Sequence, residues 1–168
     1  MIEPLHVIND LTTALAAAGI EHWLFGGWAI DFHLGRITRL HDDIDLIIWS
    51  HDEARLSAVL YMHAFQSIAS PTFEHLYFEK AGQRIEISFI EYNQLGEIIT
   101  PGRWANWPWP RDAFIAGRRQ LNDVWCPVTS IESVIDSKRE FQAHAPTQPL
   151  RQKDRDDLEQ VQKFFQKQ

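Results

Sequence analysis

The segment Asp43-Ile44-Asp45-Leu46-Ile47-Ile48-Trp49 constrains the fold more than any other part of this chain. Its isoleucine-rich apolar run reads as a strand buried in a sheet. That strand opens with two acids placed two residues apart, and side chains at i and i+2 share one face. Carboxylates held side by side repel each other unless a cation sits between them. Paired carboxylate oxygens with open water positions suit Mg²⁺, particularly one shared with substrate phosphates. Asp42 has the opposite parity, so it is expected to cap or to pair with a nearby base.

A glycine pair, Gly26-Gly27, lies sixteen residues upstream and follows the short apolar run Trp23-Leu24-Phe25. Backbone N–H groups without Cβ obstruction, at the opening of a helix, can hold phosphate. Taken alone, the acids would suit a solvated turn and the glycines a plain strand-to-helix turn. Together they favour a site for metal and phosphate.

The blocks Gly26-Gly27-Trp28-Ala29-Ile30-Asp31, Gly35-Arg36-Ile37-Thr38-Arg39 and His41-Asp42-Asp43-Ile44-Asp45 resemble the nucleotidyltransferase superfamily. The closer likeness is to the aminoglycoside (2″) adenylyltransferase and lincosamide nucleotidyltransferase group. It is dense over residues 20–50 and thinner, though collinear, afterwards. The resemblance implies an α+β fold: a polymerase-β-like core with a mixed sheet flanked by helices, then C-terminal helices. It implies Mg²⁺, one ion or two, with ATP or another nucleoside triphosphate as co-substrate. The implied reaction moves a nucleoside monophosphate, AMP first, to a hydroxyl of a small acceptor. An aminoglycoside is the first acceptor and a lincosamide the second.

Within that likeness Asp43 and Asp45 are catalytic metal ligands, and Gly26 and Gly27 hold phosphates. The family pattern also places an acid, usually Asp, on an adjacent strand. Glu86, flanked by apolar residues in Arg84-Ile85-Glu86-Ile87-Ser88, takes that place as third ligand or general base. Glu is longer than Asp by one methylene, which moves the carboxylate by about 1 Å in a geometry that tolerates little displacement. Arg39 and Lys138 are candidates for triphosphate contacts, and either would also suit a solvated surface. Asp31 is expected to cap or form a salt bridge. His41-Asp42 resembles the His-Asp pair of metal-dependent phosphohydrolases, but here the pair enters a strand rather than a helix. The other histidines are scattered singly.

Bulk properties narrow the partners. The chain's 168 residues suit a single domain, and its net charge of −7 argues against a polyanionic partner such as tRNA or DNA. That charge suits a small cationic acceptor. A single cysteine, Cys126, excludes an internal disulfide and fits a reducing cytoplasm. No apolar run approaches the ~20 residues of a membrane span, and no signal peptide is evident at Met1-Ile2-Glu3-Pro4. A homodimer is compatible with all of this.

The remaining pattern predicts a helix over 4–18, a strand over 22–25, a helix over 27–34 and a helix over 51–62. Hairpins are expected over 75–90, turning at Ala81-Gly82, and over 118–128, turning at Asn122-Asp123. Residues 100–112, rich in Trp and Pro, read as an ordered loop whose tryptophans pack on the sheet and help shape an acceptor pocket. Thr129-Ser130-Ile131-Glu132 reads as a capping box opening a helix to about Phe141, with a linker over 144–149 and a last helix over 153–165. Two further readings remain: a nucleotide-binding module without transfer activity, such as half of a toxin–antitoxin pair, and the same chemistry directed at a protein side chain.

Overall fold

In the computed structural model, residues 3–71, 74–144, 146–147 and 151–166 are described. The elements run α1 (Glu3–Ala17), β1 (His22–Leu24), α2 (Gly26–Leu34), β2 (Asp43–Trp49), α3 (Glu53–Met62), β3 (Gln66–Ile68), β4 (His75–Lys80) and β5 (Gln83–Tyr92). They continue with β6 (Ile98–Ile99), β7 (Arg118–Leu121), β8 (Val124–Pro127), α4 (Ile131–His144) and α5 (Gln152–Phe165). Short 3₁₀ turns occupy Ser50–Asp52 and Gly102–Trp104. The result is an α+β fold with a mixed sheet flanked by helices, as the resemblance implied.

The sheet runs β1-β2-β5-β4-β3, with β6 paired to β5. Strands β2 and β5 pair parallel, and β1, β4, β3 and β6 join antiparallel. Alternation sorts the side chains into two layers. Ile44, Leu46 and Ile48 of β2, with Ile85, Ile87 and Phe89 of β5, enter the main core beneath the helices. Ile47 and Ile90 point to the opposite face, where they bury with Trp23 against Trp109 and Phe114. Farther along, that second face turns polar and carries Asp43, Asp45, Glu86 and Ser88.

Strand β5 lies between β2 and β4, so Glu86 sits inside the sheet's span and not on an edge. One correction concerns a neighbour that sequence could not show. The capping box is displaced by one residue. Ser130 Oγ accepts the Ser133 N–H (3.2 Å), while Thr129 donates its N–H and hydroxyl to the Leu24 carbonyl (3.0 and 3.2 Å). Thr129 thereby ties the start of α4 to β1 and is not free to cap. Two short strands, β3 and β6, are additions, and α4 extends to His144. Of the expected 144–149 linker, Ala145, Gln148 and Pro149 lie outside the described residues.

Candidate functional site

Parallel pairing of β2 with β5 sets Asp45 directly beside Glu86. With Asp43 two residues earlier on the same face, the three carboxylates bring one oxygen each to within 4.8 Å of one another. Among the described residues this is the one such cluster. Asp43 also accepts a hydrogen bond from Arg84 Nη2 (2.8 Å). Asp45 keeps part of its surface open to the cleft, but the protein around the rest desolvates it. That burial, then the charge of Asp43, then that of Glu86, push its pKa up to about 7, against the pull of Lys138 and Lys153. Three converging acids are poorly compensated by the protein alone. An all-oxygen donor set on an open cleft fits a hard dication such as Mg²⁺, whereas nitrogen and sulfur donors would suit Zn²⁺.

The glycine turn abuts this cluster. Gly26 adopts φ +64°, in the left-handed region, and a methyl there would collide with the Asp45 carboxylate. A methyl on Gly27 would collide with the His41 ring and come within 2.7 Å of Arg39 Nη2. The Phe25 N–H donates to the Asp45 carbonyl (3.0 Å), which locks the turn to β2. Phe25 caps α2 with no side-chain hydrogen bond, and Gly26 and Gly27, the first residues of that helix, line the cleft. Asp31 fixes the connection behind it, accepting from the Thr38 N–H (3.1 Å) and hydroxyl (2.5 Å) and pairing with His41 Nε2 (2.7 Å). Asp42 points elsewhere, 3.6 Å from Lys153, as its parity required.

Neither of the two candidate bases is a solvated surface residue. Arg39 makes a bidentate pair with Asp157 (2.7 and 2.9 Å), and Lys138 is buried between Asp154 and Asp157 (2.9 Å each). Both line the same cleft as the carboxylates and the glycines.

The cleft holds about 560 Å³. Its far wall is the tryptophan loop and one face of α4. Trp104 lies 5.8 Å from the Phe141 ring and Trp107 stacks on His144 at 3.9 Å. Trp109 is more structural: its indole N–H donates to Thr100 Oγ1 (3.0 Å) while the ring packs on Phe25 and Phe114. Asp136 and Glu140, one helical turn apart on α4, also face this space.

Sequence reasoning passed over His75. It lines the cleft, pairs with Ser88 Oγ through Nδ1 (2.9 Å) and sits 3.9 Å from Glu86 Oε1 through Nε2. A usable signal existed. A two-residue turn at Ala81-Gly82 pairs His75 with Ser88 and Tyr77 with Glu86, so both land on the acid's face. The acids Asp136 and Glu140 carried no comparable signal, because α4's orientation depends on long-range packing.

A model of the aminoglycoside-2″-adenylyltransferase family matches residues 7–161. A 2″-aminoglycoside nucleotidyltransferase of Escherichia coli is 41% identical over 56 residues, which is 33% of this chain and 32% of that relative. The match thus spans about a third of the relative's length. Among solved structures, the antibiotic-resistance factor ANT(2″)-Ia in solution superposes with a TM-score of 0.74 at 20% identity, covering 93% of this chain and 80% of that one. Its crystal structure with adenylyl-2″-tobramycin gives 0.70 at 19% identity, covering 95% and 90%. The lincomycin-bound lincosamide adenylyltransferase LnuA gives 0.70 at 16% identity, with 98% of each chain covered.

Proposed function

The chain belongs to the aminoglycoside-2″-adenylyltransferase family, and from that premise we propose that its cleft transfers a nucleoside monophosphate, AMP from ATP, to a hydroxyl of an aminoglycoside-type acceptor. One observation carries the reading: Asp43, Asp45 and Glu86 converge beside the glycine turn that opens α2. The backbone N–H groups at Gly26 and Gly27 hold the β- and γ-phosphates, as a helix N-terminus favours anions. Arg39 and Lys138 add charge-assisted hydrogen bonds to the triphosphate. Asp43, Asp45 and Glu86 would hold Mg²⁺, which when bound polarises the α-phosphate and offsets the charge of the leaving pyrophosphate.

Glu86 takes the proton of the acceptor hydroxyl as that oxygen bonds to the α-phosphorus. The bond from phosphorus to the bridging oxygen breaks, and pyrophosphate leaves with that electron pair. His75, 3.9 Å from Glu86, borders the path of the incoming hydroxyl. At the acceptor end, Asp136 and Glu140 supply anionic partners for ammonium groups, and Trp104 and Trp107 supply faces for sugar rings or cations. This charge pattern, with the net charge of −7, favours a polycationic small molecule over nucleic acid. Among the described residues no helix is long and apolar enough to cross a membrane. The lone buried Cys126 suits a reducing compartment, so we place the enzyme in the cytoplasm.

Pyrophosphate release with Mg²⁺–ATP across a panel of aminoglycosides and lincosamides tests this reading. Release is expected with aminoglycosides, and Glu86→Gln is expected to slow it by at least ~100-fold, the usual contribution of a positioned base. Release with lincosamides alone would reassign the acceptor. Nucleotide binding without release for any acceptor would make the chain a non-catalytic nucleotide-binding module.

A further inference from the structure

Two cations that line the cleft come from distant parts of the chain, Arg39 before β2 and Lys138 on α4, yet they share one carboxylate. Asp157 of α5 accepts Arg39 Nε and Nη2 through its two oxygens (2.7 and 2.9 Å), and its Oδ2 also lies 2.9 Å from Lys138 Nζ. Its side chain is 1% exposed and does not reach the cleft. Three residues earlier on the same helix face, Asp154 takes Lys138 (2.9 Å) and Arg151 (2.8 Å), and Val161 continues that face into the main core.

We propose that Asp157 is a positioning residue for the triphosphate, holding Arg39 and Lys138 in one fixed arrangement with donors left over for the ligand. The inference rests on the reading of this cleft as a triphosphate site. A guanidinium has five N–H groups and an ammonium three. Asp157 takes two from Arg39 and the Leu40 carbonyl takes one, so two remain. Nη2, which carries one of these, lies 2.7 Å from where a methyl on Gly27 would stand, at the mouth of the phosphate turn. Lys138 gives two donors to Asp154 and Asp157 and keeps one.

The charge count supports the same role. Three cations, Arg39, Lys138 and Arg151, face two buried carboxylates, so the network keeps a positive surplus toward the cleft. Burial opposes ionisation of Asp157, but the Arg39 hydrogen bonds and Lys138 outweigh it and hold the carboxyl below its ordinary range. Arg and Lys are long and rotamer-rich, and an anion that had to order both would bind more weakly. Asp157 orders them before the ligand arrives. Competition by Asp157 for the same donors is the opposite outcome, and its sign in a titration is opposite.

The test is calorimetric titration of Mg²⁺–ATP into wild type, Asp157→Asn, Asp157→Glu, Arg39→Lys and Val161→Ala, with melting temperatures and steady-state KM for ATP and for the acceptor. Arg39→Lys keeps the charge and loses the bidentate pairing, but in this reading Arg39 also contacts the triphosphate. Asp157→Glu, which keeps the carboxylate and shifts it by one methylene, therefore reports on Asp157 if Asp157→Asn fails to fold. It is expected to weaken Mg²⁺–ATP, and wild-type affinity in it overturns the proposal. Asp157→Asn and Arg39→Lys are expected to weaken Mg²⁺–ATP by about 10-fold or more and to raise the KM for ATP, while the acceptor KM stays within about twofold. Val161→Ala is expected to lower the melting temperature and keep wild-type affinity, since it loosens α5 without touching the cations. Wild-type or tighter binding by Asp157→Asn or Arg39→Lys overturns the proposal. Equal loss of affinity in Val161→Ala overturns it too, because docking of α5 alone would then explain the effect. A wild-type protein that binds no Mg²⁺–ATP overturns the triphosphate reading itself.

Discussion

Asp45 is the residue on which the site's electrostatics turn, because burial, Asp43 and Glu86 all oppose its charged form. Asp45→Asn keeps the volume and removes the charge. Transfer activity is expected to fall by roughly 100-fold or more, as when charge stabilisation in a closed site is lost. The melting temperature of the metal-free protein is expected to hold or rise at pH 8, since repulsion is relieved. A steady-state assay beside a thermal melt checks both, and retained activity would remove Asp45 from the site. Gly26 and Gly19 make a second comparison. Both have left-handed φ (+64° and +65°), so alanine costs either of them about 1–2 kcal/mol of backbone strain. Only at Gly26 does the added methyl meet the Asp45 carboxylate; around Gly19 there is open space. Gly19→Ala is therefore expected to lose stability alone, and Gly26→Ala both stability and activity. Equal activity in the two variants would contradict the role given to the glycine turn.

At the scale of elements, local pattern carried much of the fold and stopped where partners are distant in sequence. The β2 boundaries, the Ala81-Gly82 hairpin and the helix stop at Gly35 were legible because period, turn chemistry and left-handed glycines are local signals. The parity argument for Asp43 and Asp45 was local too. Apolar flanks marked Glu86 in the sequence, but its place beside Asp45 needed the parallel register of β2 and β5, which only the assembled sheet supplies, so its role came from the resemblance. The pairing of Arg39 and Lys138 with Asp157 depends on α5 packing across 118 residues of chain from Arg39 and left no trace in any local window. Strands β3 and β6 were missed because two or three residues show no period.

The α1–β1 contact gives a prediction at the same scale. His22 Nδ1 donates to the Ile20 carbonyl (2.9 Å), and its Nε2 meets Thr12 Oγ1 (2.6 Å). Burial lowers its pKa from 6.5, against the Ile20 hydrogen bond. A lowered folded pKa means the unfolded chain takes the proton first, so this contribution to stability is full above about pH 6.5 and falls as pH drops through the folded value. In urea titrations from pH 7 to 5, His22→Asn is expected to be less stable at pH 7 and to lose stability less steeply than wild type. Parallel curves would show that His22 does not drive the acid limb.

Across the whole molecule, an acidic cluster on the sheet, the glycine turn that opens α2 and a cation pair held by α5 meet in one cleft. A triphosphate brought beside Asp43, Asp45 and Glu86 without a dication meets strong repulsion, and a dication reverses the local sign. Metal and nucleotide are therefore expected to bind with positive coupling and to stabilise the folded state by mass action. The most direct measurement is the melting temperature with millimolar ATP in Mg²⁺ and in EDTA, for wild type and for Asp45→Asn. ATP is expected to raise the wild-type value clearly with Mg²⁺, hardly at all with EDTA, and to raise the variant little in either. Equal stabilisation with and without the metal would contradict the carboxylate site, and none under any condition would contradict nucleotidyl transfer itself.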